Sequence, residues 1–283
     1  MISQRARPGI ANTQRSASRI ANGVTLRRVE TLEEYHECLA IQQETWGVGF
    51  RELVPPAILM VAQKLGGVCA GAFASDGRML GFVFGMTGLR DGKLAHWSDM
   101  LAVRAEARGA HIGERLKHYQ RDLVRAVGVD TMYWTFDPLV ARNAHLNINR
   151  LGARPVEYAP DLYGTGTGSP LHAGLATDRI VVAWDLTRSD GAPQQPERPG
   201  ETVNPVSADG LPALNGLADA PRVRILVPRD FDTEPNERLA AWRAVTREAF
   251  LSYLSRGYEV VGFRRGEPSE LPYYELAPAG STE

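Results

Sequence analysis

Small residues at the start of a predicted helix are the first feature of this sequence that could do chemistry. The run RGAHIG, residues 108–113, follows an apolar strand-like segment and opens a helix. The first turn of a helix has unpaired backbone N–H groups and partial positive charge, so it binds phosphate oxygens where no bulky side chain blocks them. Gly109, Ala110 and Gly113 leave that approach open. Such a turn is also common as plain helix capping, so by itself it does not specify a ligand.

Three side chains are candidates for proton transfer. Asp99 lies on the strand before the helix, Asp137 follows the next strand, and Tyr163 lies in a glycine-rich loop. Carboxylates and phenols are among the groups that act as general bases and acids. Each also has a structural alternative. Asp99 could bind backbone at a strand bulge, Asp137 could cap the next helix, and Tyr163 could serve only in packing.

Two arginines and two asparagines are candidates for ligand binding. Arg142 and Arg179 could bind a carboxylate, because guanidinium offers it a planar bidentate match. Arg179 follows Asp178, so a structural salt bridge is an equal interpretation. Asn143 and Asn147 are four residues apart, and an α-helix would place them on one face, toward a ligand or toward solvent.

The elements that position these residues can be read from apolar periodicity and turn signals. A strand begins at Val24, and Thr31 with Glu34 forms a capping box for the first helix. A second helix follows, and Asp-Gly turns then join three strand-like runs into an antiparallel meander. Over residues 24–186 the predicted order is strand, two helices, three strands, helix, strand, helix, two strands.

This order resembles that of the GCN5-related N-acetyltransferase (GNAT) superfamily. The superfamily signature is Arg or Gln, two residues, Gly, one residue, then Gly or Ala, and here Arg108, His111 and Gly113 hold its three fixed positions, with His111 departing from it. Residues 116–122, 133–153 and 175–186 resemble a branch of predicted acetyltransferases, several of which are associated with amino-acid racemases and acylate amino acids, including with succinyl groups. The implied fold class is α/β (α+β), a mixed, mostly antiparallel sheet flanked by helices.

The resemblance also implies a co-substrate and its contacts. Acetyl-CoA or another acyl-CoA is expected, with no metal. Its pyrophosphate would lie on residues 108–113, and its pantetheine arm along the preceding strand and the later helix. The expected cofactor-binding residues are Leu101, Ala102, Val103, Arg108, Gly109, Ala110, His111, Ile112, Gly113, Asn143 and Asn147. His111 could offer only its backbone N–H or add an imidazole donor.

For catalysis, the resemblance implies that a strand N–H polarises the thioester carbonyl, a carboxylate accepts a proton, and a tyrosine protonates the sulfur. Asp99 is the candidate carboxylate for accepting the proton, and Asp137 could serve there or orient the amine. The usual tyrosine position is occupied by Ile148, so Tyr163 or Tyr158 would have to serve. Arg142 and Arg179 are the expected substrate-binding residues for a small-molecule amine, with an amino acid as one candidate.

Composition and the positions of turn-forming residues give the expected partners, location and domain boundaries. The chain has 33 acidic and 32 basic residues, so no global field favours nucleic acid or a membrane. Two cysteines without metal-ligand spacing indicate a reducing, cytoplasmic location. The predicted organisation is a disordered tail over 1–22, an acyltransferase domain over 23–187, a linker over 188–220, and a small β-α-β-β extension over 221–283. The extension is expected to dock on the core, either extending its sheet or forming a homodimer contact.

Two hypotheses from different classes follow. The first is an acyl-CoA-dependent N-acyltransferase that moves an acetyl or succinyl group to a small amine in a ternary complex. The second is a non-catalytic acyl-CoA-binding regulatory protein, which the departures at His111 and Ile148 favour. A protein-substrate acetyltransferase is a third candidate, disfavoured because the glycine-rich loop is expected to enclose the site.

Overall fold

The structure, a computed structural model, describes residues 19–21, 23–172, 174–188 and 198–281. Most of the expected N-terminal tail, residues 1–18 and 22, and part of the expected linker, residues 189–197, lie outside the described residues. A short strand at Arg19–Ala21 falls within the segment predicted as tail and pairs with the next strand. No helix in the described ranges is long and apolar enough to cross a membrane.

A mostly antiparallel sheet of eight strands forms the larger unit. Its spatial order is β1-β2-β3-β4-β5-β6-β8-β7. The strands are β1 (Arg19–Ala21), β2 (Val24–Arg28), β3 (Val68–Ala74), β4 (Met79–Arg90), β5 (Lys93–Val103), β6 (Thr131–Phe136), β7 (Arg154–Ala159) and β8 (Arg179–Asp185). The predicted fold class is therefore confirmed.

Helices cover both faces of this sheet. They are α1 (Leu32–Trp46), α2 (Pro56–Lys64), α3 (Ile112–Arg125) and the short α4 (Ala141–Ala144). The predicted capping box is present, because the Thr31 side chain accepts from the Glu34 N–H and the Glu34 side chain accepts from the Thr31 N–H. The element order over residues 24–186 is the predicted one.

The sheet opens between β5 and β6. These neighbours are parallel, and their pairing runs only from Ala95↔Thr131 to Trp97↔Tyr133. Beyond Trp97, β4 is the only described strand that pairs with β5, so the other edge of β5 is unpaired there among the described strands. A β-bulge marks the same point, since Ser98 pairs with Gly85 and Met100 with Phe84, which leaves Asp99 as the extra residue.

The predicted helix after β6 is not a single α-helix. After α4 the chain continues as a π-helix over His145–Arg150. Its hydrogen bonds span more residues than those of an α-helix, for example from the Leu151 N–H to the Leu146 carbonyl at 2.9 Å. The wider turn changes which side chains share a face, so the four-residue spacing of Asn143 and Asn147 no longer aligns them.

The C-terminal extension forms its own sheet. Strands β9 (Glu201–Thr202), β10 (Val223–Leu226), β11 (Tyr258–Arg264) and β12 (Tyr273–Pro278) lie in the order β11-β12-β10-β9. Helix α5 (Asn236–Ser255) packs this unit against the larger one. The Phe250 ring stacks on Tyr158 with centroids 5.0 Å apart, and the Tyr274 hydroxyl donates to the Pro138 carbonyl at 2.9 Å. Buried side chains of both units form one continuous cluster.

Candidate functional site

Two cavities meet where the large sheet opens. The first, here the Asp99 cavity, has a volume of about 400 Å³ and lies between the end of α1, the opened part of β5 and β6, and the loop before β8. The second, here the α3 groove, has a volume of about 860 Å³ and follows β5 to the start of α3. Trp46 lines both, and β5 passes from one at Met100 to the other at Leu101. A long ligand lying on β5 could therefore reach from the groove into the cavity.

The bulge in β5 turns Asp99 toward the Asp99 cavity. Its carboxylate accepts no hydrogen bond from any described residue, so it does not bind backbone at the bulge. Desolvation by the cavity walls, followed by the charge of Glu52, raises the pKa of Asp99. A carboxylate that is open to a cavity and holds its proton more strongly than usual suits a general base.

A series of buried side-chain hydrogen bonds joins α3 to β5 next to the bulge. The Lys117 ammonium donates to Ser98 Oγ at 2.7 Å, and Ser98 Oγ donates to Gln120 Oε1 at 2.8 Å. Gln120 Nε2 lies 3.0 Å from His96 Nε2. Burial lowers the pKa of Lys117, and burial with the Lys117 charge lowers the pKa of His96 to about 3. These residues do not reach the cavity but fix the strand that carries Asp99.

Tyr163 lies at the same cavity as Asp99. Both side chains line the Asp99 cavity, and the Tyr163 hydroxyl lies 3.1 Å from Thr135 Oγ1 on β6. Tyr158, the other candidate, is buried and donates to Asp178 at 2.6 Å. Ile148 is buried as well. Of the two candidate tyrosines, the structure brings only Tyr163 to the cavity.

A glycine-rich loop between β7 and β8 covers the Asp99 cavity. The backbone of Gly168 approaches Gly49 so closely that a Cβ at Gly168 would overlap the Gly49 carbonyl. The Arg51 N–H donates to the Thr167 carbonyl at 2.8 Å, which holds the same two segments together. The sequence indicated that this loop covers a site, but it did not predict the contacts with Gly49 and Arg51. These residues are far from the loop in the sequence and belong to no motif.

Arg179 lies at the end of the cavity with three hydrogen-bond partners. It donates to the Asp178 carbonyl at 2.8 Å, to His172 Nε2 at 3.0 Å and to Asp137 Oδ2 at 3.4 Å. Its Nε donates to no described residue. The expected Asp178–Arg179 side-chain salt bridge is absent among the described contacts, since the Asp178 carboxylate pairs with Arg247 instead.

His172 completes this end of the cavity and was not identified as a site residue from the sequence. Burial, followed by the charge of Arg179, lowers its pKa to about 4, so the ring is neutral at physiological pH. Because Nε2 accepts from Arg179, the ring proton lies on Nδ1 and is donated to Thr167 Oγ1 at 2.6 Å. The signal available in the sequence was only its position in a glycine-rich loop.

Asp137, proposed from the sequence as a catalytic acid, is engaged with other residues. Its Oδ1 accepts from the Leu139 N–H at 2.9 Å, which forms a local turn and not the helix cap considered from the sequence, because Val140 is the N-cap of α4 and no side chain caps that helix. Its Oδ2 accepts from Arg179 and, at 2.6 Å, from Arg243 of α5. Asp137 therefore lies behind Arg179 and does not line the Asp99 cavity.

The α3 groove contains most of the predicted cofactor residues. Among them, Leu101 and Val103 come from β5 and Asn143 from α4. Arg108, Gly109 and His111 come from the turn before α3, and Ile112 and Gly113 from its first turn. Ala102 also lines the groove, and Ala110 lies within the same exposed turn. Asn147 does not reach the groove, because its side chain is buried and accepts from Trp134 Nε1 at 3.1 Å.

The turn before α3 presents free backbone donors. The N–H groups of Gly109, Ala110 and His111 donate to no described residue. Gly109 has a φ of 82°, which favours glycine, and His111 has a φ of 57°. The His111 imidazole is exposed and lies 3.3 Å from Glu114, which lines the same groove.

Charged residues line the outer edge of the groove. Arg142 pairs with Asp232 at 2.6 Å, so this predicted substrate-binding residue lies in the α3 groove and not in the Asp99 cavity. Glu114, at the start of α3, pairs with Arg150 at 2.9 Å. The segment before α5, with Phe231 and Glu234, adds one wall of the groove. No described His, Cys, Asp and Glu side chains cluster in a way that could hold a metal ion.

Comparison with known proteins gives structural likeness only. No protein-family model matches the sequence, and no curated protein matches it. Solved structures that resemble it include a GNAT-family protein from Desulfovibrio desulfuricans, with 15% identity, a TM-score of 0.44, and 58% of this chain and 99% of that chain covered. The ribosomal-protein-S18-alanine N-acetyltransferase of Escherichia coli has 16% identity and a TM-score of 0.44, with 59% and 96% covered.

A third structure is Naa50 of Arabidopsis thaliana in complex with the bisubstrate analogue CoA-Ac-MVNAL. It has 16% identity and a TM-score of 0.44, with 57% of this chain and 97% of that chain covered. All three structures are described as acetyltransferases or as a complex with a coenzyme A bisubstrate analogue. In each case the likeness leaves about two fifths of this chain without a counterpart.

Proposed function

We propose that this protein is an acyl-CoA-dependent N-acyltransferase that transfers an acyl group to the amine of a small molecule, with an amino acid as the favoured acceptor. The observation that carries the proposal is the junction of two cavities on β5. One offers backbone donors for phosphate, the other offers an unpartnered carboxylate with a raised pKa, and Trp46 lines both.

The α3 groove fits coenzyme A. Its pyrophosphate would accept hydrogen bonds from the free N–H groups at Gly109, Ala110 and His111, next to the positive end of the α3 dipole. The pantetheine arm, which contains amide groups, would pair with the unpaired edge of β5 at Leu101–Val103. Arg108 and Asn143 would add side-chain donors from either wall. In this arrangement the thioester would lie at Met100, at the entrance to the Asp99 cavity.

The reaction proposed here is direct attack in a ternary complex. The neutral amine attacks the thioester carbonyl carbon, forming the C–N bond, and its proton passes to Asp99 directly or through one water. A backbone N–H on the open edge of β5 stabilises the negative charge that develops on the carbonyl oxygen. The C–S bond then breaks, and the thiolate takes a proton from the Tyr163 hydroxyl. Asp99 releases its proton to solvent and Tyr163 regains one from solvent, so the products are the amide and the free thiol.

The Asp99 cavity favours an acceptor that carries a carboxylate. Arg179 lines the cavity, its Nε donates to no described residue, and guanidinium is the group best suited to bind a carboxylate. An α-amino acid could place its carboxylate on Arg179 and its amine toward Asp99. The covering loop reduces the room for a protein chain, which disfavours a folded protein as the acceptor.

Acceptor-dependent thiol release tests this function. Purified protein is incubated with acetyl-CoA or succinyl-CoA and with D- and L-amino acids, each paired with its carboxamide as a matched control without the carboxylate. We expect release with amino acids and at least tenfold weaker activity with the carboxamides. Release with a short peptide alone would identify a peptide acceptor instead.

Binding of coenzyme A without release by any acceptor would contradict the catalytic proposal. It would favour the non-catalytic acyl-CoA-binding alternative, which is consistent with the buried Ile148 at the position where the superfamily usually has its tyrosine. Absence of coenzyme A binding would contradict both.

A further inference from the structure

Helix α5 of the C-terminal extension reaches the acceptor end of the site through one buried arginine. Arg243 is 4% exposed, and its Nη2 donates to Asp137 Oδ2 at 2.6 Å. Its Nε and Nη1 are buried and donate to no described residue. The interaction with Asp137 is thus the one described hydrogen bond of this guanidinium. Asp137 lies between Arg243 on one side and Arg179 on the other.

The two arginines interact with Asp137 unequally. The 2.6 Å contact with Arg243 is a short charge-assisted hydrogen bond, whereas the 3.4 Å contact with Arg179 is longer than an ordinary N–H···O bond. One carboxylate between two guanidinium groups leaves one positive charge in excess. Because Arg243 makes the closer contact with Asp137, the excess charge lies mainly on Arg179.

The other partners of Arg179 do not cancel this charge. One is the backbone carbonyl of Asp178 and the other is the neutral ring of His172. The Asp178 carboxylate is engaged by Arg247 and by the Tyr158 hydroxyl. Asp99 and Glu52 line the same cavity, but neither bonds to Arg179.

We infer that Arg243 is a positioning residue of the acceptor site: it neutralises Asp137 and so leaves Arg179 free to bind the acceptor's carboxylate. This inference rests on the proposed function. Without Arg243, the Asp137 carboxylate would draw Arg179 into a full ion pair, away from His172 and from the cavity. The C-terminal extension is then part of the acceptor site, although none of its residues lines the Asp99 cavity.

The first test compares Arg243→Gln with Arg247→Gln. Arg247 lies one turn further along α5 and also pairs with a carboxylate of the larger unit, but that carboxylate does not bond to the Arg179 guanidinium. We expect Arg243→Gln to raise the KM for the amino acid on the order of tenfold, with the affinity for coenzyme A unchanged. Arg247→Gln should lower the melting temperature and leave that KM within about threefold of wild type. Equal KM values in the two variants would overturn the inference.

A second-site variant tests the charge argument directly. In Asp137→Asn/Arg243→Gln, both opposing charges are removed, so Arg179 has no carboxylate to pair with. We expect the KM to return to within about threefold of wild type. The double variant has no buried carboxylate without a positive partner, unlike Arg243→Gln. It can therefore be measured even if Arg243→Gln does not fold. A tenfold rise in KM in the folded double variant would overturn the inference.

NMR titration of His172 in the free protein separates this inference from the proposed function. The ring contacts Arg179, Thr167 and the Phe50 ring. Burial and the Arg179 charge lower its pKa, the Asp137 charge raises it, and the Arg243 charge lowers it. Arg243→Gln should raise the pKa of His172 in two ways, by removing the Arg243 charge that lowers it and by drawing Arg179 toward Asp137, while Arg247→Gln should leave it unchanged. No difference between the variants would contradict the role of Arg243 whether or not the protein shows turnover.

Discussion

At the scale of single residues, Asp99 is the group on which the proposed chemistry depends most. We expect Asp99→Asn to lower kcat by roughly 10²–10⁴-fold, because the substitution removes the proton acceptor. In the wild type, kcat/KM should fall on the acid side of a pKa above the ordinary aspartate value, and the residual activity of the variant should lack this dependence. A pH profile of both proteins measures this. A variant with wild-type turnover would exclude Asp99 as the base.

The stability of the same variant distinguishes a functional acid from a structural one. The pKa of Asp99 is raised in the folded state, so the ionised carboxylate destabilises the fold above that pKa, and this cost vanishes below the unfolded value of about 3.8. Asp99→Asn should therefore melt at or above the wild-type temperature at pH 7, and the difference should shrink as the pH falls. A lower melting temperature at pH 7 would indicate a structural role at the bulge.

At the scale of elements, the bulge and the glycine opposite it set the direction of Asp99. A Cβ at Gly85 would lie 2.5 Å from the Trp97 carbonyl and would also meet His96. We expect Gly85→Ala to shift β5, to lower the free energy of unfolding by about 1–3 kcal/mol and to reduce kcat/KM. Denaturant unfolding and steady-state kinetics measure the two effects.

Gly88 provides the matched control on the same strand. A Cβ there would contact nothing within 4 Å. Gly88→Ala should therefore change the free energy of unfolding by less than about 0.5 kcal/mol and leave the kinetics unchanged. If Gly85→Ala changes the free energy of unfolding and the kinetics as little as Gly88→Ala does, β5 tolerates a side chain behind the bulge.

At the scale of the whole molecule, the two units share one core, so we expect them to unfold together. Phe250→Ala removes the ring that stacks on Tyr158 and should cost about 3–5 kcal/mol in a single thermal transition of the whole chain. Leu251→Ala, at a neighbouring position that is 41% exposed, should cost less than about 1 kcal/mol. Calorimetry measures both. Two separate transitions in Phe250→Ala would indicate that the units are only loosely coupled.

The sequence alone determined what depends on short-range patterns. Three local patterns predicted their elements correctly: the capping box at Thr31, the apolar spacing of α3 and the Asp-Gly turns. Each depends on residues close together in the sequence. The small-residue turn before α3 could also be predicted from the sequence, because small residues at a helix start leave their own backbone N–H groups accessible.

Tertiary structure decided what depends on residues far apart in the chain. Asp137 and Arg243 are 106 positions apart, so their pairing could not be read from spacing. Asn147 was misplaced because the helix widens to a π-helix where its side chain meets Trp134. The bulge that turns Asp99 into the cavity arises from the pairing of β5 with β4, and the cavity itself exists only because β5 and β6 separate. Such features result from which surfaces pack together, and packing is a property of the whole chain.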